Sequence, residues 1–261
     1  MYFSFFTDRT IKIGAALLGT CLACCHITQA NVAERDAQFV EGLRQRRMFT
    51  LAESFCRRRL AEPDLTVAHR IQLITELSRC YATQAVHHTG PQRDEYWARA
   101  VAVIEDWNPQ FERNPHFLVA RAQHALVNLA RGEIARQELE LQTPGTQNWE
   151  LARQPLRKAI AELEALQLEA TSHLQQSLSA NQTISKFELE SFLANVQHQS
   201  SRAHHNRALT YSPDTSDRLT DLTPSLQKLS TGREDSSISK NHFQTNPYAV
   251  TFRCLLDLGL K

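Results

Sequence analysis

Apolar residues recur at intervals of three and four positions in almost every segment of the chain after residue 31. The clearest run consists of Val67, Ile71, Ile74, Leu77 and Tyr81. This is the spacing of side chains that share one face of an α-helix. The composition agrees, because the chain has only 8 glycines and is rich in Ala, Leu, Gln, Glu and Arg, which favour helix. The sequence therefore predicts an all-α fold without an extended sheet.

Turn and capping signals divide the first half of this pattern into separate helices. The pattern predicts helices over residues 32–46, 49–61, 66–86, 94–107 and 117–130. Thr66 is placed to cap the third helix, and the sequence HHTGPQR at 87–93 ends it. Gly132 is expected to form a turn from the fifth helix into a sixth.

The sequence QTPGTQN at residues 142–148 marks a break, since Thr, Pro and Gly interrupt the helical pattern there. We therefore expect one helical region over residues 31–142 and a further one over residues 148–261. Residues 231–245 are polar and predict a loop. Residues 246–261 are apolar on several sides and predict a last helix, which either packs back into the bundle or mediates self-association.

Proline and capping residues predict the helix boundaries within the second region. Pro155 suits the first turn of a long helix over residues 155–180. Ser185 and Glu188 form a capping box for the next helix. Pro224 is expected to kink or restart the helix after that.

Two of the predicted helices share a spacing pattern. One carries Leu51, Phe55, Arg58 and Pro63, and the other carries Trp97, Val101, Ile104 and Pro109. This helix with a trailing proline resembles the second helix of the tetratricopeptide repeat of exported bacterial proteins. The sequence NLARGEIARQ at 128–137 resembles the turn of that repeat, in which Gly132 lets two helices meet closely. The resemblance covers residues 31–142. It implies helical hairpins stacked as an α-solenoid, or an irregular bundle of such hairpins.

Aromatic residues of this region are candidates for a partner-binding groove. Solenoids of stacked hairpins bind extended peptides or partner helices on a concave surface, and the resemblance implies the same use here. The candidate residues are aromatic or basic and lie in or near the fourth and fifth predicted helices: Tyr96, Trp97, Trp107, Phe117 and Arg121. The alternative interpretation is that the aromatic members belong to the core.

The N-terminus has the order of a secretory signal peptide. Arg9 and Lys12 precede the apolar run at 13–25, and Thr28 and Ala30 supply the small residues of a cleavage site. We expect cleavage after Ala30, which assigns residues 1–30 to the signal peptide and predicts an exported protein in the periplasm, the cell envelope or the medium. The alternatives are an uncleaved membrane anchor, which alone would bring membrane contact, or lipidation at a leader cysteine.

The cysteines after the leader do not predict a disulfide framework. Only Cys56, Cys80 and Cys254 remain beyond residue 30, and an odd, sparse set is typical of buried thiols. One bridge is left open, between Cys56 and Cys80, because adjacent helices can bring these two residues together.

The charge balance excludes a strong attraction to nucleic acid. The chain has 29 basic and 28 acidic residues, of which the leader holds two basic and one acidic. The part after residue 30 therefore has 27 of each, and its charges balance. Six arginines cluster near the second helix and are expected to form a solvated face: Arg44, Arg46, Arg47, Arg57, Arg58 and Arg59. The histidine pairs at 87–88 and 204–205 lack metal-ligand spacing and are expected at the surface or in turns.

No catalytic motif is recognisable in the sequence, and we expect neither an enzyme nor a cofactor. The expected function is that of an exported scaffold or adaptor that binds protein or peptide segments along a tetratricopeptide-like surface. One alternative is a structural subunit of an envelope complex, anchored by a retained N-terminal helix. A helical metal-binding protein or enzyme that uses the histidine pairs is the remaining alternative.

Overall fold

Helix follows helix throughout the part of the chain that a computed structural model describes, residues 32–177 and 184–234. This part contains no strand. Its helices are α1 (32–45), α2 (Phe49–Leu60), α3 (Val67–Val86), α4 (Gly90–Phe111), α5 (Phe117–Glu140), α6 (Glu150–Ser177), α7 (Lys186–Ala208) and α8 (Ser216–Glu234). The all-α prediction is confirmed. The leader with Ala30, Cys254 and the helix expected at 246–261 lie outside the described residues.

Two predicted N-caps are present with the expected hydrogen bonds. The Thr66 side chain accepts a hydrogen bond from the backbone N–H of His69 at 3.2 Å and so begins α3. At the start of α7, Ser185 Oγ accepts from the backbone N–H of Glu188 at 3.2 Å, and Glu188 Oε2 accepts from the backbone N–H of Ser185 at 2.8 Å. Both caps satisfy N–H groups that the helix itself cannot pair.

Helix α4 is longer at both ends than the sequence predicts. It begins at Gly90, with Pro91 in its first turn, and continues through Pro109 to Phe111. Proline suits the first helical turn, where an N–H would have no partner. Pro109 removes only the bond to the Glu105 carbonyl, and the helix ends two residues later, so the cost falls on its last turn.

The turn expected around Gly132 does not form, because α5 is one helix from Phe117 to Glu140. Gly132 is buried inside it. A Cβ atom added at Gly132 would lie 2.5 Å from Leu156 Cγ and 3.1 Å from the Ala152 carbonyl oxygen, both on α6. The glycine thus allows a close helix approach, as predicted, but between α5 and α6 rather than at a turn.

Two further prolines lie inside helices instead of at their boundaries. Helix α6 begins at Glu150, whose backbone N–H bonds the Asn148 side chain at 3.3 Å, so the long helix starts five residues before Pro155. Helix α8 continues through Pro224 to Glu234. It therefore neither restarts at Pro224 nor leaves residues 231–234 as loop.

The chain divides into two compact units, Met1–Val127 and Asn128–Lys261. In the first unit, α3, α4 and the start of α5 enclose an apolar cluster of buried residues: Ile71, Ile74, Ile104, Phe117 and Ala120. Burial of such side chains contributes roughly 1.5–3 kcal/mol each. Neighbouring helices therefore pack against one another, as hairpins require.

Buried ion pairs also hold the helices of the first unit. Glu76 on α3 is 5% exposed and bonds Arg44 on α1 at 2.7 Å and Arg79 on its own helix at 2.6 Å. Asp36 on α1 bonds Arg59 Nε at 2.8 Å and lies 2.9 Å from Nε2 of His69, which is buried. The expectation of one solvated arginine face is therefore wrong for Arg44 and Arg59.

The second unit contains the end of α5 with α6, α7 and α8. Its core is aliphatic, and the fully or almost fully buried residues are Leu129, Ala152, Leu156, Ala159, Leu163, Leu166, Ala170, Leu189, Val196 and Ala203. A loop at 141–149 connects α5 to α6, with Gly145 at φ +90 and Leu141 89% exposed. The break predicted at 142–148 coincides with this loop.

The two helices that share a spacing pattern differ in burial. Leu51 is 51% exposed, whereas Trp97, its counterpart in the pattern, is 3% exposed. Pro63 follows the end of α2, whereas Pro109 lies within α4. The equal spacings therefore do not mark structurally equivalent positions, although the fold is compatible with a helical repeat.

Candidate functional site

A groove of about 420 Å³ lies over α3 in the first unit, with α2 and α4 as its walls. We call it the α3 groove. It is lined by Arg57, Leu60 and Ala61 from the end of α2, Leu77 and Tyr81 from α3, and Arg99, Ala102, Val103, Asp106 and Trp107 from α4. Pockets that bind ligand groups in proteins have volumes of roughly 300–1,000 Å³. The α3 groove is large enough for a few side chains of a ligand.

One face of α4 forms a continuous wall of the α3 groove. Arg99, Ala102, Val103 and Asp106 stand at positions i, i+3, i+4 and i+7, which places them on the same side of the helix. The wall is thus charged at both ends and apolar in the middle. Seven residues of helix rise about 10 Å, which is the axial separation of Arg99 from Asp106.

The end of the α3 groove nearest Tyr81 holds two arginines, each paired with a carboxylate: Arg57 with Glu53 at 2.9 Å and Arg99 with Glu95 at 2.5 Å. The Tyr81 hydroxyl accepts a hydrogen bond from Arg57 Nη2 at 2.9 Å and donates one to Glu53 Oε1 at 2.6 Å. Arg99 lies over the same ring, with its guanidinium carbon 6.0 Å from the ring centroid. Burial raises the pKa of Tyr81 to about 12, and its hydrogen bond to Glu53 adds to that shift. The hydroxyl is therefore neutral, and the two guanidinium charges of this end are balanced by the paired carboxylates of Glu53 and Glu95.

The other end of the α3 groove combines an aromatic ring with a carboxylate. Trp107 is half-buried and stacks on Phe111 at 5.7 Å, while the guanidinium of Arg70 lies 5.7 Å from its ring centroid. Asp106, next to Trp107, is exposed. This end therefore combines aromatic surface with charges of both signs, from Asp106 and Arg70.

The residues chosen from the sequence occupy different environments. Trp107 lines the α3 groove. Tyr96 lies beside the groove, where the guanidinium carbon of Arg99 is 5.6 Å from its ring centroid and His88 stacks on the ring. Trp97 and Phe117 are buried, at 3% and 0% exposure, and Arg121 is half-buried away from the groove lining. The structure thus brings Trp107 to the groove with Tyr96 at its edge and places Trp97 and Phe117 in the core.

Sequence reasoning missed most of the groove residues. Arg57 was assigned to a solvated face, and Tyr81 to the apolar stripe of α3. One sequence signal could have indicated the groove: a single face of α4 mixes charged and apolar residues. These residues are Arg99, Ala102, Val103 and Asp106. A face of that composition lies at the edge of a core, where a partner can reach it.

A polar cluster in the second unit contradicts, for His204, the expectation that the histidine pair at 204–205 lies at the surface. His204 is 5% exposed, with Nδ1 3.3 Å from Asp221 Oδ1 and Nε2 3.2 Å from Glu164 Oε1. Asp221 is 2% exposed and also accepts a hydrogen bond from Arg207 Nε at 2.8 Å. His204 therefore connects α7 to α6 and α8. Buried charges of this kind need such partners.

Burial alone would raise the pKa of Asp221, but hydrogen bonds from His204 and Arg207 outweigh it and hold the pKa of this carboxyl below its ordinary value near 3.8. The ionised form is thus favoured by folding. Its contribution to stability is complete above that ordinary pKa and is lost as the pH falls through the lower pKa of the folded state.

We expect Asp221→Asn to lower the free energy of unfolding at pH 7 and to reduce its pH dependence in acid. The difference between wild type and variant should shrink as the pH falls below about 3.8. Urea unfolding at a series of pH values measures both effects. Asp217→Asn, at an exposed position of α8, should leave the curve unchanged. A gap that is constant across the acid range would contradict the assignment.

The cysteines of α2 and α3 carry free, buried thiols. Burial raises the pKa of Cys80 to about 11 and raises the pKa of Cys56 further. Both thiols are therefore protonated and poor nucleophiles at neutral pH. They pack as small apolar side chains, and the bridge left open by the sequence is absent between these two residues.

Within residues 32–177 and 184–234, no group of three or more His, Cys, Asp or Glu side chains is arranged to hold a metal ion. No helix of this part is long and apolar enough to cross a membrane. Comparisons of the chain with protein-family models, curated proteins and solved structures find no match. The described residues thus define the class: an all-α protein with a groove framed by neighbouring helices.

Proposed function

We propose that the protein is an exported, non-enzymatic scaffold that binds segments of other proteins in the α3 groove, with hairpins of tetratricopeptide-like type. The single observation that carries the proposal is the groove itself. Apolar side chains from three helices, Leu60, Leu77 and Val103, line it beside Arg57 and Arg99. A mixture of apolar side chains with a few charged groups is the usual composition of a protein-binding site.

The α3 groove suits a segment of protein better than a reacting small molecule. The arginines and the tyrosine hydroxyl at its Tyr81 end are already paired with Glu53 and Glu95. Such pairing keeps the charges fixed in position. Positioned rim charges give an interface its specificity and its association rate.

The experiment is a binding screen with an array of random peptides and two matched variants. Ala102→Arg places a long charged side chain in the α3 groove from an exposed lining position, and Ala98→Arg makes the same change at an exposed position of α4 outside the lining. We expect the Ala102→Arg variant to lose the peptides that wild type binds and the Ala98→Arg variant to keep them. No bound peptides, or equal binding by both variants, would refute the proposal.

Export is tested independently of binding. If residues 1–30 are a signal peptide, intact-mass analysis of the protein isolated from the producing cell should show a chain that begins at Asn31. A full-length mass would favour the anchored structural subunit instead.

A further inference from the structure

We propose that one face of the α1–α2 hairpin binds the surface of a membrane rich in anionic phospholipid. We call it the hairpin face. Its members are apolar side chains and arginines: Val32, Phe39, Met48, Leu51, Phe55, Arg35, Arg46, Arg47 and Arg58. Four of the apolar members are 37–51% exposed, Phe55 is half-buried, and all four arginines are exposed. The hairpin face lies outside the α3 groove, and its use does not depend on the function proposed for that groove.

Helical spacing places four of these residues on one side of α1. Their positions are i, i+3, i+7 and i+14, which follow a single stripe of the helix: Val32, Arg35, Phe39 and Arg46. Apolar and basic side chains thus alternate along about 21 Å of α1.

The α2 side of the hairpin face has the same composition. Leu51, Phe55 and Arg58 stand at positions i, i+4 and i+7. The Phe55 ring packs on that of Phe39 in α1, with the two centroids 4.8 Å apart, so the two stripes form one surface. Leu60, which lines the α3 groove, follows Leu51 by nine positions and therefore lies on the opposite side of α2.

The turn between the helices adds Arg47 and Met48 to this surface. The backbone N–H of Met48 donates to the Leu43 carbonyl at 2.9 Å, and that of Arg47 donates to the Arg44 carbonyl at 3.0 Å. With Arg47 at φ +58, these two bonds form the Schellman motif that ends many helices. Glycine is the usual residue at this position, so the turn itself does not require a charge there.

The arginines of the hairpin face are not neutralised by neighbouring residues. Within residues 32–177 and 184–234 none of the four forms an ion pair, in contrast to Arg57 and Arg59 of the same hairpin. Asp64 is exposed, but it follows α2 at the end of the hairpin remote from the turn. The carboxylates of α1 and α2 are held by other side chains: Glu34 by Gln38, Asp36 by Arg59, Glu41 by Arg44 and Glu53 by Arg57.

An anionic membrane surface satisfies both parts of this composition. Apolar side chains of a helix that lies in the interface enter the boundary between headgroups and acyl chains. Arginine buries its apolar stem there and keeps its guanidinium group at the level of the phosphates. Anionic lipid attracts each basic residue near the surface. A hairpin that lies flat on the membrane therefore uses every member of the hairpin face.

A second copy of the chain fits the hairpin face less well. A two-fold interface sets the same patch of both copies against each other, so arginines would meet arginines without a carboxylate between them. Like charges brought together in this way oppose association. The occupant therefore has to carry negative charge.

The order of the sequence favours a lipid surface over an acidic protein. The apolar run at 13–25 ends six residues before α1, which is at most roughly 20 Å of extended chain. A membrane that takes up this run during export therefore lies beside the hairpin face.

The test is sedimentation of the purified protein with vesicles. One set contains phosphatidylcholine alone, and the other contains equal parts of phosphatidylglycerol and phosphatidylcholine. We expect wild type to sediment with the anionic vesicles and to be released as the salt concentration rises, because salt screens the attraction of the arginines. Little protein should sediment with phosphatidylcholine alone.

Two variants with matched controls assign this binding to the hairpin face. Arg47→Gly removes a charge at a backbone conformation that suits glycine and should weaken binding about fivefold, whereas Arg113→Gln, at an exposed position outside the face, should not. Leu51→Gln should weaken binding about tenfold, and the same change at the more exposed Leu141 should have no effect. Circular dichroism confirms that each variant is folded.

Each failure has its own result. All variants share one N-terminus, so wild-type binding that Arg47→Gly and Leu51→Gln leave intact would assign the membrane contact to the leader or another segment and overturn the inference. Equal binding to both kinds of vesicle would also overturn it, because the arginines would take no part. Wild type that ignores both vesicles but is retained by immobilised polyglutamate would have an acidic polypeptide as its occupant. A wild-type dimer that Leu51→Gln dissociates would assign the face to a second copy.

Discussion

Glu76→Gln should destabilise the first unit by about 2 kcal/mol, because it removes the interhelix partner of the buried Arg44 guanidinium and leaves that charge to the Glu41 carboxylate of its own helix. The side chain of Glu76 is 7% exposed and that of its partner Arg44 is 13% exposed. Arg44 donates to this carboxylate on α3 at 2.7 Å and also contacts the Cys80 side chain of that helix, while Glu41, a second carboxylate partner, lies on its own helix. The loss should therefore fall on the attachment of α1. Urea unfolding followed by far-ultraviolet circular dichroism measures it.

Two further variants separate charge burial from the simple loss of an ion pair. Glu95→Gln removes the same kind of partner from Arg99, but that pair is exposed, and the expected cost is below about 1 kcal/mol. The double variant Arg44→Leu, Glu76→Leu removes both buried charges and should recover much of the loss. Equal costs for Glu76→Gln and Glu95→Gln would show that Glu76 is solvated.

The helices of this protein were predictable because their signals are local. Thr66 precedes the apolar stripe of α3, and Ser185 with Glu188 precedes that of α7, so periodicity and capping chemistry coincide at both places. Each signal needs only a few consecutive residues to operate. The structure therefore contains the predicted caps with the predicted hydrogen bonds.

Helix boundaries at proline and glycine were predicted wrongly, and the reason is tertiary packing. Pro109, Pro155 and Pro224 each remove one hydrogen bond, yet the helices continue through them. Gly132 lies inside α5 at a cost of about 1 kcal/mol relative to alanine. Burial of apolar residues near Pro109, Pro155 and Gly132 outweighs such local costs, and a single sequence does not display that burial.

The charged sites were hidden for a related reason. Asp221 bonds His204 from 17 positions away, and Glu76 bonds Arg44 from 32 positions away. Neither partner is marked by any local motif, so each residue alone suggests a solvated surface. The sequence indicated only half of the α3 groove, because the α4 wall is one helix face but the Tyr81 end also needs Arg57 from α2. Long-range pairs of this kind become apparent only in the fold.

Gly132→Ala should destabilise the second unit by about 2 kcal/mol, although alanine is the better helix former. The new Cβ atom would lie 2.5 Å from Leu156 Cγ, a branch point that cannot swing away like the end of a flexible side chain. The Ala152 carbonyl oxygen at 3.1 Å limits movement on the other side. The same substitution at Gly42 in α1 is the control, since its nearest contact is Arg46 Nη1 at 3.7 Å. Gly42→Ala should therefore stabilise by about 0.5–1 kcal/mol.

A double-variant cycle with Leu156 distinguishes this clash from any other effect of the methyl group. Leu156 is fully buried, so Leu156→Ala alone should cost about 2–5 kcal/mol through lost contacts and a cavity. In the double variant, the methyl group that Gly132→Ala adds occupies space that the leucine branch has left. The loss of unfolding free energy in the double variant should therefore be about 2 kcal/mol smaller than the sum of the two single losses. An interaction energy of this size is usual for two residues in contact. Strict additivity would mean that α5 and α6 do not meet at Gly132, and the close approach of these helices would be wrong.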